Sequence, residues 1–583
     1  MKTLTNELNI ICKYHAIDDE YDFYQLRSSG KYIAKGSRIL DLGLNGIRAI
    51  AYDDGASIFV MATKESIKFF ELAEAIGDET ITIKQLSSSV VKPYILAKLF
   101  LFSLSSSDYE DCAFANLSGK LFLFRPEWIK KTRKAFKALN IDIKCNDENA
   151  PKITCNACTF SSIKLFKSPK ITETYPRYVF SIKNTLKRTF EKDENSYIRK
   201  AFNGKKAEIP FISFEQKGIK TCKANMLLTI INAFNETFGS LISLSLVEKG
   251  IVDKINTKRD EMFFEKIKIL LSGKTIYVSN YVNEPEEIQS FDNLLNALRF
   301  FLPFTDVVEA KEVVQKELNV VLIHNQEYYV ENSFNDPYKT FNRNTPIQCV
   351  TVEDACYEGS EVIYKTIIKE LQIKNEIINE HKFLIDDWKT YDYKKSWYFG
   401  IMVDNLAYFM NVLSDGTFKL IKKSSAFSVF KEDIYNKLEK LLNTYKGEDK
   451  MVFFDDEGNV NLIVDTGVVP LPCYELFKTD SPRSNESKAN YLSGVLDINL
   501  YHDSSFTKYS VGPYGKTLNK TIPTAPHIYE VKVLDGQERM IDVLKTLGVQ
   551  FVKYNNYTVI PYPFKYLREW VLMNKTGDQL VKV

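Results

Sequence analysis

From Leu271 onward, short apolar segments with β-strand character alternate with amphipathic helical segments, and this alternation constrains the fold more than any other feature of the sequence. Lys274–Tyr281 and Asn319–His324 are predicted as strands, and a helix that runs through Phe301 separates them. Strands separated by helices are typical of a parallel sheet covered by helices. The sequence therefore predicts a Rossmann-like layer in this part of the chain.

A second α/β segment follows the first. Tyr398–Val403 and Ala407–Leu413 are predicted as neighbouring strands, and Met451–Phe454 is predicted as a later strand. A helix is predicted between them, at about residues 430–445. The C-terminal half is therefore expected to contain two consecutive α/β regions.

The first 270 residues mix β-like runs with helical stretches, and the whole chain contains no fixed-period repeat. Lys120–Phe124 is predicted as a strand, whereas Pro93–Ser103 and Trp128–Leu139 are predicted as helices. Proline suits the first turn of a helix, where its missing N–H costs no hydrogen bond. The pattern predicts an α+β N-terminal half.

The composition is that of a folded globular protein. The chain has 583 residues, of which 45% are hydrophobic and 26% charged, and at about 150 residues per domain it has room for roughly four domains. The 77 Lys and Arg residues against 75 Asp and Glu residues leave a net charge of +2, so any nucleic-acid site must be a local basic channel. Nine scattered cysteines and the lack of a signal or membrane-spanning pattern predict a cytoplasmic protein with reduced thiols.

The most informative motifs lie between residues 320 and 375. The strand that ends at His324 is followed by Asn335-Asp336-Pro337-Tyr338-Lys339, then by Thr345-Pro346-Ile347-Gln348-Cys349-Val350, and then by a predicted helix, Val362–Asn375. This order resembles the MID domain of Argonaute proteins. In that family a strand, a Tyr/Lys-bearing helix, a Gln-containing segment and a Lys-bearing helix together bind the 5′-terminal phosphate of a guide strand.

The resemblance implies that the guide 5′-phosphate is bound by Tyr338, Lys339, Arg343, Gln348, Lys369 and Lys374. Cations, an amide and backbone N–H groups can together neutralise a phosphate dianion, and a Tyr ring can stack on the first base. The family spaces its Tyr and Lys four residues apart, whereas Tyr338 and Lys339 are adjacent and so lie on different faces; Arg343 is the alternative cation. A Mg²⁺ ion at the guide 5′-phosphate is the expected cofactor.

The C-terminal region resembles PIWI, the RNase H-like domain that follows MID in Argonautes. The resemblance rests on the Pro-containing segment 522–529 and on the closing run 555–566, which leads into the last helix. Slicing members use three carboxylates and a fourth ligand to hold two divalent metal ions. Whether this chain can cut a target therefore depends on which residues stand at these four positions.

The resemblance implies that two of the four ligand positions are replaced. Met402 follows Gly400-Ile401 at the first position, and a thioether is a poor ligand for a hard Mg²⁺ ion. Arg568 stands at the last position and would repel a metal ion. Asp456 falls at an acidic position, but its segment, Asp-Asp-Glu-Gly, also reads as a hairpin turn. The remaining glutamate would be Glu432 or Glu439.

The resemblance implies a bilobed, multidomain α/β architecture with an N-terminal α+β lobe (1–150), a linker or PAZ-like region (151–270), a Rossmann-like MID domain (271–395) and an RNase H-like PIWI domain (396–583). It implies a prokaryotic Argonaute without slicing activity, which binds a 5′-phosphorylated guide and a complementary target strand and thereby senses plasmid or phage nucleic acid for a separate effector nuclease or helicase. Two alternatives stay open. One is an active nuclease that uses Asp404, Asp456 or Glu457, and Glu569; the other is an interaction protein without a guide.

Overall fold

The computed structural model describes residues 2–574 with the exception of residues 29–45, 55–56, 68–71, 73, 75–80, 105–107, 110–111, 117–118, 129–133, 146–149, 167–174, 181–185, 190–192, 203–208, 214–217, 219, 256–259, 283–287, 353–360, 404–405, 425–450, 472–497, 509–520, 523 and 550–559. The predicted helix at 430–445, Glu432, Glu439, Asp404 and residues 555–559 of the closing run lie outside the described residues.

The described strands are β1 Lys2–Cys12, β2 Tyr21–Ser28, β3 Ile47–Asp54, β4 Ser57–Thr63, β5 Ile81–Leu86, β6 Asp108–Tyr109, β7 Cys112–Asn116, β8 Leu121–Phe124, β9 Ala135–Lys144, β10 Lys152–Ser162, β11 Arg177–Phe180, β12 Leu186–Thr189, β13 Tyr197–Ile198, β14 Ile212–Ser213, β15 Ile242–Ile255, β16 Thr275–Asn280, β17 Asp306–Ala310, β18 Leu318–Ile323, β19 Ile347–Thr351, β20 Trp397–Val403, β21 Leu406–Val412, β22 Phe418–Ser424, β23 Met451–Asp455, β24 Val460–Val468, β25 Pro470–Leu471, β26 Ile498–Tyr501, β27 Ser505–Lys508, β28 Thr521–Ile522 and β29 Ile528–Asp535. The described α-helices are α1 Tyr14–Glu20, α2 Pro93–Phe102, α3 Lys223–Phe238, α4 Asp260–Leu271, α5 Ile288–Phe301, α6 Gln326–Glu331, α7 Glu361–Asn375, α8 Met540–Leu547 and α9 Pro563–Asn574.

The chain divides into two compact units. The first contains Met1–Gly250, Val468–Leu492 and Val511–Pro526, and the second contains Ile251–Gly467, Ser493–Ser510 and His527–Val583. The region predicted to be MID-like therefore falls within the second unit, and so does most of the region predicted to be PIWI-like, whose segments Val468–Leu492 and Val511–Pro526 belong to the first.

The first unit is built from antiparallel sheets and a few helices, as predicted for an α+β half. Strands β3, β4, β2 and β5 form one four-stranded sheet in that order. The predicted helix that begins at Pro93 is present as α2, with Pro93 at its first turn and with most of its apolar side chains buried. The sequence pattern and the structure agree here because both local propensity and burial favour the helix.

The predicted helix Trp128–Leu139 is wrong. A short 3₁₀ helix ends at Trp128, and β9 begins at Ala135 and pairs residue by residue with β10 over ten positions. Ala138, Ile141 and Ile143 are buried on the same strand. The apolar spacing fits a helix locally, but antiparallel pairing with β10 from Ala135 onward makes the described end of the segment a strand.

A four-stranded parallel sheet forms the first part of the second unit. Its order is β17-β16-β18-β19, and all three pairs of neighbouring strands are parallel. Strand β18 is fully buried, as expected for a strand covered on both faces. Helices α4, α5 and α7 contribute buried side chains to the same core. The Rossmann-like layer predicted from the sequence is thus present.

An antiparallel sheet forms the next part of the second unit. Strands β22, β21, β20, β23 and β24 are neighbours in that order, and each pair is antiparallel. Strand β20 packs on the C-terminal helix α9, where the Phe399 and Phe564 rings are 5.3 Å apart. The predicted strands at 398–403, 407–413 and 451–454 are therefore confirmed.

The two parts of the second unit share one aromatic core. The Phe383 ring lies 5.0 Å from the ring of Tyr562 and 4.8 Å from that of Tyr566, which belongs to α9. Trp388, 1% exposed, packs 5.9 Å from Tyr562. Burying a large aromatic side chain is worth about 1.5–3 kcal/mol, so these contacts fix α9 firmly against the segment that follows α7.

The helices of the described residues are all too short or too polar to cross a lipid bilayer.

Candidate nucleic-acid interface

The hydrogen bond between Lys374 and Gln348 is the centre of the predicted phosphate site. Lys374 lies in the last turn of α7, and its Nζ donates to Gln348 Oε1 at 2.7 Å and to the Ile347 carbonyl oxygen at 3.0 Å. Gln348 is the second residue of β19 and is 8% exposed. Because an ammonium group has three donors, these two bonds orient Lys374 and leave it capacity for an anion.

Arg343 is also next to this cluster. Its Nη1 donates to the Met573 carbonyl oxygen at 3.1 Å, in the last turn of α9. Carbonyl groups at the end of a helix lack partners within the helix, and a nearby cation stabilises them. Arg343 therefore joins the loop before β19 to the C-terminal helix. A guanidinium group has five N–H donors, so this bond is compatible with an additional anionic partner.

Tyr338 and Lys339 lie on a 3₁₀ helix, Pro337–Thr340, rather than on an α-helix. Asp336 caps it, and its Oδ1 accepts from the Tyr338 N–H at 3.0 Å. Tyr338 is half-buried and Lys339 is exposed, in agreement with the prediction that the two neighbours lie on different faces. Burial raises the pKa of Tyr338; Cys349 and Glu569 raise it further, and Arg343 opposes them. Tyr338 thus lies among the residues of the predicted site.

Lys369 is on the same helix as Lys374 but not on the same face. The two residues are five positions apart, which is about 140° around an α-helix. Lys369 is only 9% exposed, so its aliphatic part is buried. Of the two lysines predicted on this helix, Lys374 is the one that the structure brings to Gln348.

Two glutamates at this cluster were missed by the sequence analysis. Glu370 lies one helical turn before Lys374, and the Gln348 side-chain amide donates to the Cys349 carbonyl oxygen at 3.1 Å. Burial raises the pKa of Glu370 above its ordinary value of 4.5; Lys374 lowers it, and Glu569, which lies on α9, raises it. The i, i+4 spacing of Glu370 and Lys374 was visible in the sequence, whereas the approach of α9 was not.

Cys349 lies beside the cluster as a neutral thiol. Burial raises the pKa of Cys349 to about 12, although Lys374 acts in the opposite direction. A thiol with so high a pKa carries no negative charge at neutral pH. Among the described residues, the charged groups near Gln348 include Lys374, Arg343, Glu370, Glu569 and Asp336.

A buried carboxylate connects the same two helices just beyond the cluster. Glu376 follows α7 and accepts from the Tyr566 hydroxyl of α9 at 2.7 Å and from Gln372 Nε2 at 3.0 Å. The backbone N–H groups of Leu384 and Ile385 donate to it at 3.0 and 3.1 Å. Burial nevertheless raises the pKa of Glu376 to about 7, against these hydrogen bonds, which lower it.

The acidic segment Asp-Asp-Glu-Gly forms the hairpin turn between β23 and β24, which confirms that interpretation of its sequence. Asp455 is 2% exposed and accepts from the N–H groups of Glu457 and Asn459 at 3.0 and 3.1 Å. Arg539 Nε lies 3.1 Å from Asp455 Oδ2, and Arg539 Nη2 lies 2.9 Å from Glu457 Oε2. Lys395 also pairs with Glu457. The carboxylates of this turn are thus held by cations and amides.

Asp456 and Met402, two of the residues predicted at PIWI ligand positions, are not brought together. Asp456 Oδ2 accepts from the Ser396 N–H at 2.8 Å, at the start of β20. Asp455 is opposite Trp397 in the β20–β23 register. Met402 follows Trp397 by five residues, or about 17 Å of strand. Asp456 and Met402 therefore lie at opposite ends of β20.

Arg568 is half-buried on α9. The same helix packs its Trp570 ring 5.3 Å from Tyr408, which pairs with Ile401 of β20. Gly400 lies at a close approach of three strands, since a Cβ atom at this position would come within 2.6 Å of the Phe409 ring and 2.9 Å of Val452. Packing, rather than metal chemistry, accounts for the glycine of the Gly400-Ile401 pair.

The expected Mg²⁺ ion stays a prediction. Within the described ranges, no group of three or more His, Cys, Asp or Glu side chains is placed to hold a metal ion. The side chains around Gln348 therefore do not make a metal site by themselves.

No protein-family model and no curated protein matches this chain. Two solved structures are similar to it over almost the whole length. The crystal structure of Marinitoga piezophila Argonaute, in complex with a 5′-hydroxyl guide RNA and target DNA, matches with a TM-score of 0.42 and 12% identity, covering 97% of this chain and 98% of that one. The crystal structure of Drosophila Piwi matches with a TM-score of 0.35 and 11% identity, covering 98% of this chain and 97% of that one. Both are structures of the family that the sequence motifs resemble.

Proposed function

We propose that this chain is a guide-dependent nucleic-acid-binding protein of the Argonaute type, and that the cluster around Gln348 binds the 5′-phosphate of the guide. The observation that carries the proposal is the bond from Lys374 Nζ to Gln348 Oε1, at 2.7 Å, between residues 26 positions apart. The order of the sequence motifs points to both residues independently of this bond. Their meeting beside Arg343 and Tyr338 is what a phosphate site of this kind requires.

The proposed binding is electrostatic and directional. Lys374 donates to a phosphate oxygen through its remaining N–H, and Arg343 adds a second cation at the end of α9. Tyr338 supplies a ring on which the first base stacks. Lys339, exposed beside it, interacts with the backbone of the guide. Base pairing with the guide then chooses the target, because the protein reads backbone shape rather than sequence.

We further propose that the chain binds its target without cutting it. Two-metal cleavage needs several carboxylates around one point. Asp455 and Glu457 are each engaged by Arg539, and Met402 lies about 17 Å along β20 from the end at which the acidic turn is found. A guide-loaded protein of this kind acts as a sensor in the cytoplasm. It passes the presence of plasmid or phage nucleic acid to a separate effector nuclease or helicase.

The phosphate site is tested by measuring guide affinity. We expect Lys339→Ala combined with Lys374→Ala to weaken binding of a 5′-phosphorylated guide by more than roughly 2 kcal/mol, because each charge-assisted bond is worth about 1.5–3 kcal/mol. Lys365→Ala is the matched control: this lysine is on the same helix but pairs with Glu361. Equal affinity of the unmodified protein for 5′-phosphate and 5′-hydroxyl guides would contradict the site.

The absence of cleavage is tested by incubating guide-loaded protein with a labelled complementary target and Mg²⁺ or Mn²⁺. We expect the target to stay intact. Clean cleavage that Asp456→Ala abolishes would instead establish the alternative of an active nuclease. If the protein purified from its native host carries no short 5′-phosphorylated nucleic acid, the alternative of an interaction protein without a guide gains support.

A further inference from the structure

Helix α7 continues beyond Asn375 as a π-helix, Glu376–Glu380, which starts two residues after Lys374. The His381 N–H closes it by donating to the Glu376 carbonyl oxygen at 2.8 Å. His381 has a φ of 50°, a left-handed conformation that costs free energy for a residue with a side chain. π-helices are rare and are frequently found at functional sites. The backbone directly after the proposed phosphate-binding lysine is therefore unusual, and the surrounding structure must hold it in place.

The side chain of Glu376 is what holds this backbone. It is fully buried, and its carboxylate accepts four hydrogen bonds, from Gln372, from the backbone N–H groups of Leu384 and Ile385, and from the Tyr566 hydroxyl. These donors belong to α7, to the segment after the π-helix and to α9. A buried carboxylate bonded in this way cannot shift without leaving polar groups unsatisfied, which costs free energy. Glu376 therefore fixes the end of α7 relative to α9.

Glu376 and Lys374 leave the helix in different directions. Two positions along a helix correspond to about 200° around its axis. Lys374 accordingly reaches Gln348 on β19, whereas Glu376 reaches Tyr566 on α9. Glu376 thus acts on Lys374 through the backbone between them.

Helix α9 also holds the second proposed cation. Tyr566 bonds Glu376, and seven residues further along the helix the Met573 carbonyl oxygen accepts from Arg343 Nη1 at 3.1 Å. Seven residues of an α-helix span about 10.5 Å. Helices α7 and α9 also pack against each other. One helix therefore sets the positions of both Lys374, through Glu376, and Arg343.

We infer that Glu376 and Tyr566 are positioning residues, whose bond holds α7 and α9 at the separation at which Lys374 and Arg343 reach one phosphate group. This inference rests on the proposed function. Binding of a 5′-phosphate by two cations depends on the distance between them, whereas a 5′-hydroxyl guide lacks the group that both cations bind. The Tyr566–Glu376 bond therefore determines how strongly a phosphorylated guide is preferred.

The test is the affinity of the whole chain for two guides of one sequence, one with a 5′-phosphate and one with a 5′-hydroxyl. Tyr566→Phe removes the hydroxyl and keeps the ring that packs 4.8 Å from Phe383. We expect the preference for the phosphorylated guide to fall by about five- to tenfold, with the affinity for the 5′-hydroxyl guide unchanged. Tyr391→Phe is the matched control: it removes a hydroxyl bonded to another buried carboxylate, Asp386, and should leave the preference unchanged.

A double-mutant cycle separates positioning from general stabilisation. In the Lys374→Ala background the distance between the two cations no longer matters, so Tyr566→Phe should change the preference by less than about twofold. Glu376→Gln should act like Tyr566→Phe in the unmodified background, because an amide cannot accept all four bonds.

Two outcomes would overturn the inference and leave the guide site in place. One is an unchanged preference in folded Tyr566→Phe and Glu376→Gln, and the other is an equal loss of affinity for both guides. If the unmodified protein itself shows no preference for the 5′-phosphate, the proposed function fails instead.

Discussion

Two charged regions of the second unit differ in how their charges are satisfied. In the turn between β23 and β24, Asp455 and Glu457 are matched by Arg539, by Lys395 and by the amides of the turn. At the cluster around Gln348, Lys374 binds an amide and a carbonyl oxygen, neither of which carries a full charge. The first arrangement stabilises a hairpin, whereas the second leaves the ammonium group of Lys374 bonded to neutral oxygen atoms and electrostatically coupled to Glu370.

The difference between the acidic turn and the cluster around Gln348 means that the type of a charged residue does not by itself assign its function. The acidic turn contains the residues that a metal site would need, and yet its buried carboxylate, Asp455, is 3.1 Å from an arginine. The cluster around Gln348 contains Glu370 and Glu569, whose negative charge opposes the binding of a phosphate. Because a buried charge must be compensated, the neighbours decide what each group can do.

The largest expected effect concerns the acidic turn. Arg539→Ala leaves the buried Asp455 without its cation, and we expect the free energy of unfolding to fall by about 3 kcal/mol, since breaking a buried ion pair costs roughly 3–5 kcal/mol. Chemical denaturation measures this loss. Guide affinity should be unchanged in the folded variant. A loss below about 1 kcal/mol would mean that the turn is not held by this pair.

An intermediate effect is expected from Glu376, which lies just beyond the cluster around Gln348. Its pKa, ordinarily 4.5, is raised to about 7 in the folded protein, so the folded state binds the proton more tightly than the unfolded state. The resulting stability is present in full below pH 4.5 and is lost as pH rises to about 7 and above. We expect this carboxyl group to cost the unmodified protein about 2 kcal/mol between pH 5 and pH 8.

Denaturation curves recorded across that range, for the unmodified protein and for Glu376→Gln, measure the effect of Glu376. The variant should lack this part of the pH dependence because its amide does not titrate. Parallel curves for the two proteins would show that the pKa of Glu376 does not change on unfolding.

The smallest expected effect on stability concerns the exposed ion pair between Lys395 and Glu457 in the same turn. Lys395→Ala removes the other cation of Glu457, but both side chains of that pair are about half exposed. We expect a loss below about 1 kcal/mol in the same denaturation assay, because exposed ion pairs contribute little. A loss as large as that of Arg539→Ala would show that the whole network, rather than the buried Asp455 alone, stabilises the hairpin.

Much of the second unit follows from the sequence. The strand–helix alternation after Leu271 predicts the parallel sheet because period and segment length are local properties. The segment Trp128–Leu139 shows the limit, since pairing with β10 overrides a helical spacing. Lys374 and Gln348 could be selected as site residues from motif order, but Glu370 and Glu569 could not be assigned to the site without knowing where α9 packs.

The sequence by itself determined which residue types are available: a Gln–Lys pair 26 positions apart, an acidic hairpin turn, and Met402 after the Gly400-Ile401 pair. Only the tertiary structure decided which charges meet. Arg539 reaches Asp455 although it is 84 residues later in the chain, and Glu569 reaches Glu370 from the last helix. Electrostatic interactions depend on distance in space and on burial, and the linear order of residues specifies neither.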